Sequence, residues 1–533
     1  MDRATGFPDG ACGEALAVGE PARTGRAEDG NAVADEPDAP DTPASDPAKS
    51  NRALFFTVFP SIMIPMFLAM VDQTIVSTAL PAIAAELGDV ERVSWIVVSY
   101  LVATTIAAPV YGRLGDVFGR RRVMLVALGV FIAASIGCAL APSVLLLSLA
   151  RVLQGVGGGG LMTSSQALVG ETVPPRERAR YQGYLAGVAV AASSFGPVAG
   201  GFLTEHFGWR SVFLVNLPLG VVAVLLTLRL PRRTGSGAGF RFDFIGLALF
   251  VVFVVSTLIA LERVQRFEPG SVPLIAGLAA VTVIAVMLLV RVEGRAASPL
   301  LPLSLLRTPA IWRSDALAAC HGAALVSLLT LMPIYLRVVR GTSASETGLL
   351  LLPLAAGIGL GAMVTGRLVS RTGRTAIFPS VGLIPVALLL VLLAVAAPVL
   401  SNTALVLVFT MLSLFMGTVM GVVQVTVQTV AGPAMIGSAA ASVQFSRSIG
   451  AAFGTSVATA VLFSVLAFSD PDAASAFVAL IQTGPAALHS WPAARQAVIV
   501  AEVAEAFRAA FLAVAVFAMA ALALAWSIPM RKL

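Results

Sequence analysis

Long apolar runs follow one another along most of the chain, separated by short segments that carry arginine, glycine and proline. A helix that crosses the hydrocarbon core of a bilayer needs about 20 mostly apolar residues. Fourteen runs meet that length, so we expect an all-α integral membrane protein embedded in a lipid bilayer. The spans are predicted at residues 54–80, 94–112, 123–141, 144–168, 181–203, 211–230, 243–262, 272–291, 310–336, 346–369, 376–398, 402–425, 438–467 and 506–528.

One motif occurs twice, each time at the end of a predicted helix. Residues 112–120 (GRLGDVFGR) return as residues 366–374 (GRLVSRTGR), and Phe195-Gly196 is echoed by Phe453-Gly454. Two halves related as parallel repeats are the build of many secondary transporters. We therefore predict two six-helix bundles and an inserted pair of helices. The expected segments are a tail at 1–50, an N-terminal bundle at 51–230, a two-helix linker at 231–300 and a C-terminal bundle at 301–533, in which an extracellular loop at 470–505 forms short helices.

The composition fits a membrane protein, since 57% of the 533 residues are hydrophobic and 12% are charged. Soluble domains average about 25% charged residues, so a soluble enzyme is excluded. Residues 1–50 carry eleven acidic and four basic side chains and no apolar run, which predicts a disordered acidic tail. Elsewhere the arginines fall in short connections and not along one face, so we expect no nucleic-acid partner.

The basic residues are divided unequally between the two ends of the spans. Twenty lie in connections after even-numbered spans or at the C-terminus, and eight lie on the opposite side. Positive charge collects on the cytoplasmic side of a membrane. We therefore expect a multi-pass protein of a bacterial plasma membrane, with both termini in the cytoplasm, that works as a monomer.

Two charged residues lie inside predicted spans. Asp72 stands two-thirds of the way across the first span, and Arg151 lies in the fourth. A charge at the centre of a membrane helix costs about 2.5–3.5 kcal/mol, so each group needs a partner or water, and the acid can instead keep a proton. We expect the two residues to pair and to couple transport to protons. The alternatives are that Asp72 makes only a helix–helix hydrogen bond and that Arg151 extends to the interface.

The connection at 112–122 places an acid among arginines. The candidate residues for a conformational latch are Gly112, Asp116, Gly119, Arg120 and Arg121. Gly115 and Gly119 suit a tight turn. A simple topology anchor would need the arginines and would not need Asp116.

The fifth span carries a motif of glycine and proline. Its residues are Gly187, Gly196, Pro197, Gly200 and Gly201. Small residues let membrane helices approach closely, and a proline inside a helix removes a hydrogen bond and bends it. Packing alone accounts for the glycines, but a bent and closely packed helix is also where two rocking halves would meet.

Further polar residues in the apolar zone are candidates to line a substrate cavity. They are Gln73, Gln154, Gln166, His321, Gln424, Gln428, Gln444 and Arg447. Gln444 and Arg447 are three residues apart and share a helix face. His321 titrates in a range useful for proton transfer, although a lone histidine on an apolar face is more often structural. We expect Asp315 to form an interfacial ion pair with Arg313.

Together these motifs resemble the major facilitator superfamily. The likeness rests on residues 112–122, on Arg151 with Gln154-Gly155, and on the fifth-span motif, which is similar to that family's antiporter signature. The segments DQTIVSTALP (72–81) and WRSVFLVNLPLG (209–220), with the fourteen spans, resemble its drug:proton antiporter-2 branch.

The resemblance implies alternating access, in which two bundles rock around a central cavity. It also implies that Asp116 meets the N-terminus of a helix near Gly437-Ser438 in the outward-open state. The chain departs from the family at two positions: Arg337 stands where glutamine is common, and the second copy of the motif has Ser370 in place of the acid. The latch is therefore expected on one side only.

We predict a proton-coupled antiporter that exports amphipathic, cationic or neutral small molecules, as in multidrug efflux and antibiotic resistance. A lipid, siderophore, amino acid or self-made antibiotic is the alternative cargo. Uptake symport and a non-transporting sensor are alternatives of a different kind. The sequence holds no phosphate-binding glycine-rich loop, metal-binding cluster or nucleophile–base arrangement, so we expect no enzyme activity, metal or cofactor.

Overall fold

The computed structural model describes residues 58–89, 92–231, 241–266, 269–296, 298–300, 302–470, 473–474, 476–478, 480 and 492–532. Over these residues the chain is almost entirely helical, with one isolated bridge between Arg374 and Lys532. Within the described part of the chain, fourteen helices are long and apolar enough to cross a membrane. The predicted all-α membrane fold with fourteen spans is confirmed, while the predicted tail at 1–50 lies outside the described residues.

We number the fourteen helices α1 to α14 in chain order. The first eight are α1 (Phe59–Leu87), α2 (Trp95–Phe118), α3 (Arg120–Ala139), α4 (Val144–Thr172), α5 (Pro175–Phe207), α6 (Ser211–Leu228), α7 (Phe244–Arg266) and α8 (Val272–Glu293). The last six are α9 (Pro309–Val338), α10 (Ala344–Thr372), α11 (Ile377–Ala396), α12 (Asn402–Ala431), α13 (Ile436–Ser469) and α14 (Ala493–Ser527). Two helices are interrupted, α6 at Val215 and α12 at residues 417–419.

The buried apolar side chains fall into separate clusters along the chain. Two clusters, around Phe131 and Phe213, are built from α1 to α6. A larger one, around Phe409, is built mainly from α9 to α14. Helices α7 and α8 pack on each other, and Phe250 of α7 meets Phe445 of α13 with 5.2 Å between ring centroids. This inserted pair therefore lies outside both six-helix cores.

Glycines of α4 allow its two neighbours to approach closely. A Cβ atom on Gly155 would lie 2.5 Å from the carbonyl oxygen of Tyr100 on α2. A Cβ atom on Gly157 would lie 2.7 Å from the backbone nitrogen of Phe131 on α3. Such distances leave no room for a side chain, so α4 is held between two backbones.

The internal repeat appears as a pair of matching contacts. A Cβ atom on Gly112 of α2 would lie 2.6 Å from the carbonyl oxygen of Gly437, at the start of α13. A Cβ atom on Gly366 of α10 would overlap Ala179 and lie 3.1 Å from Cα of Arg180, near the start of α5. Gly366 lies 254 positions after Gly112, and Gly437 lies 258 positions after Ala179. The two sequence offsets therefore correspond to one repeated helix contact between the bundles.

The predicted connection at 112–122 is wrong in its extent. Helix α2 continues to Phe118 and α3 begins at Arg120, so Gly119, with φ of 89°, alone separates them. A residue with a side chain rarely adopts this backbone conformation, which explains the glycine. Gly115 lies within α2 and makes no turn.

The start of the last helix is also earlier than predicted. Residues 493–505 belong to α14 and not to an extracellular loop at 470–505. Glu502, Glu505 and Arg508 are spaced by three and share one helix face, so a helix accommodates these charges, and Arg508 lies 3.3 Å from Glu505. The described residues from 473 to 480 are helical, and the rest of the predicted loop up to 491 lies outside the described residues.

The glycine contacts predict that Gly157→Ala lowers the melting temperature of the purified protein, because the added methyl group would overlap the backbone of α3. Overpacking of this kind costs about 1–3 kcal/mol. Gly129→Ala on α3 is the matched control, since a Cβ atom there has no neighbour within 4 Å. Thermal unfolding in detergent, followed by tryptophan fluorescence, measures both variants. Equal melting temperatures would contradict the close approach of α4.

Candidate functional site

A fully buried network of polar side chains joins α1, α4 and α6. Asp72 of α1 and Arg151 of α4 have no solvent exposure, and Arg151 Nη1 donates to Asp72 Oδ2 at 2.5 Å. The second carboxylate oxygen, Oδ1, accepts from Gln154 Nε2 at 2.8 Å and from Asn216 Nδ2 at 2.7 Å. The two charged residues thus pair as expected, and Arg151 does not extend to the interface. The carboxylate of Asp72 thus accepts three hydrogen bonds, one on Oδ2 and two on Oδ1.

The helices supply the rest of this network through their local geometry. The interruption of α6 at Val215 places Asn216 at the start of the second helical segment, facing Asp72. Ser135 Oγ of α3 accepts from Gln154 Nε2 at 2.8 Å and from Asn216 Nδ2 at 3.3 Å. Asn216 was not predicted as a site residue, although it lies in the segment 209–220 that resembles the antiporter branch. The signal that could have identified Asn216 was its amide side chain next to the point where α6 is interrupted.

The guanidinium group of Arg151 is held by more than its acid. Its Nε donates to the carbonyl oxygen of Ile96 at 3.2 Å, and its carbon lies 4.1 Å from the ring centroid of Tyr100. Its Nη2 has no hydrogen-bond partner among the described residues. The carbonyl and the aromatic face compensate part of the cost of burying a charge that cannot lose its proton.

A cavity of about 390 Å³ lies between the two six-helix sets. Six of the eight predicted cavity residues line it: Gln73, Gln166, His321, Gln424, Gln444 and Arg447. Its apolar lining includes the flexible side chains Met66, Met70, Met416 and Met420. Methionine adapts to irregular shapes, so the cavity has both polar walls and adaptable apolar walls.

Two predicted cavity residues do not line it. Gln154 turns into the N-terminal bundle and binds Asp72. Gln428 is buried and donates to the carbonyl oxygen of Gln166 at 2.9 Å, next to Gly170. Both predictions were wrong because a polar residue within a span can face a neighbouring helix as readily as a cavity.

The network of Asp72 and Arg151 is likewise separate from the cavity. Gln73 and Thr74 line the cavity, while Asp72 faces α4 and α6. Successive residues on a helix point about 100° apart. Helix α1 therefore presents the charged pair to its own bundle and the neighbouring positions to the cavity.

Asp116 binds the first residues of α13. Its Oδ1 accepts from the backbone nitrogen of Gly437 at 2.9 Å, and its Oδ2 accepts from the backbone nitrogen and the hydroxyl of Ser438, both at 2.8 Å. The unsatisfied N–H groups of a helix N-terminus favour an anion. This contact links the bundles at the place that the family resemblance implied.

The remaining residues of the 112–122 motif have distinct positions. Arg120 pairs with Asp116 and donates to the carbonyl oxygen of Gly112 at 3.2 Å. A Cβ atom on Gly115 would overlap the Arg120 guanidinium, so this glycine makes room for the arginine. Arg121 instead donates to the carbonyl oxygen of Leu228 at 2.7 Å and lies away from Asp116, contrary to its predicted place in the latch.

The fifth-span motif contacts both bundles. A Cβ atom on Gly200 would lie 2.5 Å from the carbonyl oxygen of Ile75 on α1, and one on Gly196 would lie 3.3 Å from the backbone nitrogen of Ile75. Gly187 faces Met363 of α10, in the other bundle. Close packing therefore explains Gly196 and Gly200, whereas Gly187 meets only the flexible end of the Met363 side chain.

The other two residues of the motif do not pack in this way. A Cβ atom on Gly201 would meet no neighbour within 4 Å, so close packing does not explain this glycine. Pro197 is exposed, and α5 continues through it to Phe207.

Asp315 of α9 is a second buried carboxylate. It accepts from Ser442 Oγ at 3.3 Å through Oδ1, and its Oδ2 has no partner among the described residues. The expected ion pair with Arg313 is wrong, because Arg313 turns to the carbonyl oxygen of Ser527. Residues two apart on a helix point to different sides, which explains the error.

The sequence is similar to a known protein family and to individual members of it. The family model described as the Major Facilitator Superfamily matches residues 62–455. An uncharacterized MFS-type transporter of Mycobacterium tuberculosis is 33% identical over 461 residues, which are 85% of this chain and 66% of that protein. The multidrug transporter protein MdtP of Bacillus subtilis is 31% identical over 420 residues, 78% of this chain and 76% of MdtP.

Two solved structures share the fold. The human organic anion transporter TETRAN superposes with a TM-score of 0.61 at 14% identity, over 88% of this chain and 99% of the other. The proton:xylose symporter XylE superposes with a TM-score of 0.59 at 13% identity, over 90% of this chain and 97% of the other. At these identities the likeness shows the fold alone.

Because Asp72 and Arg151 form a buried ion pair, we expect the effect on stability of changing one residue to depend strongly on whether the other is present. Removing one partner leaves the other as an unpaired buried charge, so Asp72→Asn and Arg151→Gln are each expected to destabilise the protein by about 3–5 kcal/mol. The double variant should lose less than the sum of the single losses. The test is to measure the melting temperatures of the wild type, the two single variants and the double variant in detergent. If the loss in the double variant equals the sum of the two single losses, a direct pair is contradicted.

Proposed function

This chain belongs to the major facilitator superfamily, and we propose that it exports amphipathic small molecules by alternating access, driven by protons. The observation that carries the proposal is the Asp116 contact with α13, which joins the bundles at one end of the cavity. A carrier needs a closure of this kind, made of a few hydrogen bonds that can break. The 31% identity to a multidrug transporter supports the same class of cargo.

We place the closed end of the cavity in the cytoplasm. Cross-bundle contacts at Gly112, Gly170 and Gly366 lie at the end of the helices where the arginines are concentrated. Positive charge favours the cytoplasmic side. On this assignment both termini are cytoplasmic and the conformation is outward-facing, the state in which the family resemblance implies the Asp116 contact. The proposed location is a bacterial plasma membrane, and the proposed branch of the family is the drug:proton antiporter-2 branch.

Asp72 is the proposed proton site. Protonation would remove the negative charge that holds Arg151, and an unpaired buried guanidinium is costly. The cost would be relieved by a shift of α4 or α1, and α1 also carries Gln73 in the cavity wall. A potential of 100 mV supplies about 2.3 kcal/mol for each proton that moves inward. One proton per cycle could thus drive useful accumulation outside.

The cargo proposed here is neutral rather than cationic. A cationic substrate would be recognised by a carboxylate in the cavity wall, but Asp72 faces its own bundle and Asp315 is not among the lining residues. Polar contacts to the cavity glutamines and apolar contacts to the methionines suit a neutral amphiphile. Of the two substrate types expected from the sequence, cationic and neutral, the residues of the described cavity support the neutral one.

Proton coupling is tested in everted membrane vesicles that are acidified inside, with a pH-sensitive dye and a neutral amphiphile such as chloramphenicol. We expect the substrate to release protons from vesicles with the wild-type protein, because inward substrate movement is exchanged for protons. Asp72→Asn should abolish this release. Asp315→Asn, which removes another buried carboxylate, is the matched control and should retain it. Release that persists in the Asp72 variant would contradict the assignment of the proton site.

If the Asp116 contact acts as a latch, Asp116→Asn should shift the protein towards a conformation in which the two bundles are separated at this end. The neutral amide loses the attraction of a carboxylate to the N-terminus of α13 and to Arg120, so the arginine-rich end should open more often. Pulsed electron paramagnetic resonance between spin labels on α2 and α13 measures this opening. Ser370→Ala, at the matching position of the second motif, is the control and should leave the distance distribution unchanged. An unaltered distribution in the Asp116 variant would argue against a latch.

A further inference from the structure

We propose that the cavity also takes amphipathic monoanions and binds their acidic group at Arg447. This inference rests on the proposed function, because it names a substrate class for the same cavity. The ligand would carry one carboxylate or sulfonate on an apolar body.

Arg447 of α13 is a cation without a counter-ion. Its side chain belongs to the cavity lining and the residue is half-buried. Among the described residues it makes no ion pair and no side-chain hydrogen bond. Arginine does not lose its proton in proteins. A permanent charge in a partly dehydrated cavity favours an anion, because a counter-ion restores the interactions that water no longer provides.

The acids near the cavity do not serve as that counter-ion. The described lining contains no aspartate or glutamate. Asp72 is held by Arg151, Asp116 by Arg120 and the start of α13, and Asp315 accepts from Ser442. The positive charge of Arg447 is therefore not cancelled by a described residue of the cavity wall.

Other atoms of the lining can complete an acid-binding site. Gln424 Nε2 is a buried donor with no partner among the described residues. Gln444 lies one helical turn before Arg447 and shares its face of α13. A carboxylate accepts up to about four hydrogen bonds, so it can use an arginine and amide donors together. The methionine walls then receive the apolar body of the ligand.

The direction of transport agrees with an anionic cargo. The inside of a bacterial cell is electrically negative, so the membrane potential moves an anion outward and holds a cation inside. When a monoanion leaves the cell and a proton enters, the membrane potential therefore favours both movements. A cationic cargo would use part of the proton driving force against the same potential.

The experiment measures binding to the purified full-length protein in lipid nanodiscs, without a proton gradient. The probe is tritiated 2-naphthylacetate, and the competitors are its methyl ester and 2-(2-naphthyl)ethylamine, which share the apolar body and differ in charge. We expect the acid to bind more tightly than the ester, and the ester more tightly than the amine. Arg447→Gln should weaken binding of the acid by about tenfold or more, because a hydrogen-bonded charge is lost. The same change should leave the affinity of the ester nearly unaltered.

Two further variants make the result specific. Arg447→Lys keeps the charge and should retain part of the preference for the acid. Arg508→Gln removes an arginine that pairs with Glu505 outside the cavity, and it should bind all three compounds like the wild type. Each variant is first shown to be monodisperse and to melt near the wild-type temperature.

The possible outcomes separate this inference from the proposed function. Equal or tighter binding of the amine, or an Arg447→Gln variant that keeps the preference for the acid, would overturn the anion site even if proton-coupled export of neutral compounds is observed. Arginine-dependent binding of the acid without any substrate-driven proton release would support the anion site and contradict the proposed coupling. Absence of binding by all three compounds to folded protein would also overturn the anion site.

Discussion

The cost of placing a charge in a membrane is the constraint on which this structure depends. An arginine and an aspartate inside the hydrocarbon region are stable only when they meet each other and enough hydrogen-bond donors and acceptors. Asp72 and Arg151 satisfy this condition with Gln154, Asn216 and the aromatic face of Tyr100. The break in α6 and the glycines of α4 follow from the same need, because they bring Asn216 to the acid and let α4 approach α2 and α3.

Three charged residues, Asp72, Asp116 and Arg447, are held in different ways, and each suits a different proposed role in a carrier. Asp72 is bound within one bundle, so its state affects the helices of that bundle. Asp116 is bound across the two bundles by the start of α13, and those hydrogen bonds must break when the bundles separate. Arg447 faces the cavity without a described partner and is thus available to a ligand. The proposed proton site, the proposed closure and the proposed recognition site are therefore physically separate.

Much of this arrangement follows from the sequence, and the failures have physical causes. The lengths of the apolar runs predict the fourteen spans, and the repeated GRLGDVFGR motif predicts two bundles. The family resemblance of residues 112–122 implies the contact between Asp116 and the start of α13. The direction in which a particular side chain points from its helix is harder to predict. A span that is apolar on all sides does not show which of its faces packs against another helix and which faces the cavity. Gln154 and Gln428 were assigned to the cavity for that reason and face other helices.

The start of α14 at Ala493 was missed because its charges suggested a loop, although their spacing of three fits a helix. The positions of Arg313 and Asp315, two apart, already argue against a pair.

The most direct test of proton-driven export is the balance point of transport in proteoliposomes that contain this protein alone. An amphipathic substrate is placed at equal concentration on both sides, a pH difference is imposed, and the steady-state substrate ratio is measured as that difference is varied. Coupled exchange predicts that the ratio rises with the pH difference, that it reverses when the difference is reversed, and that it returns to unity in the presence of a protonophore. A substrate ratio that stays at unity for every pH difference would contradict the account.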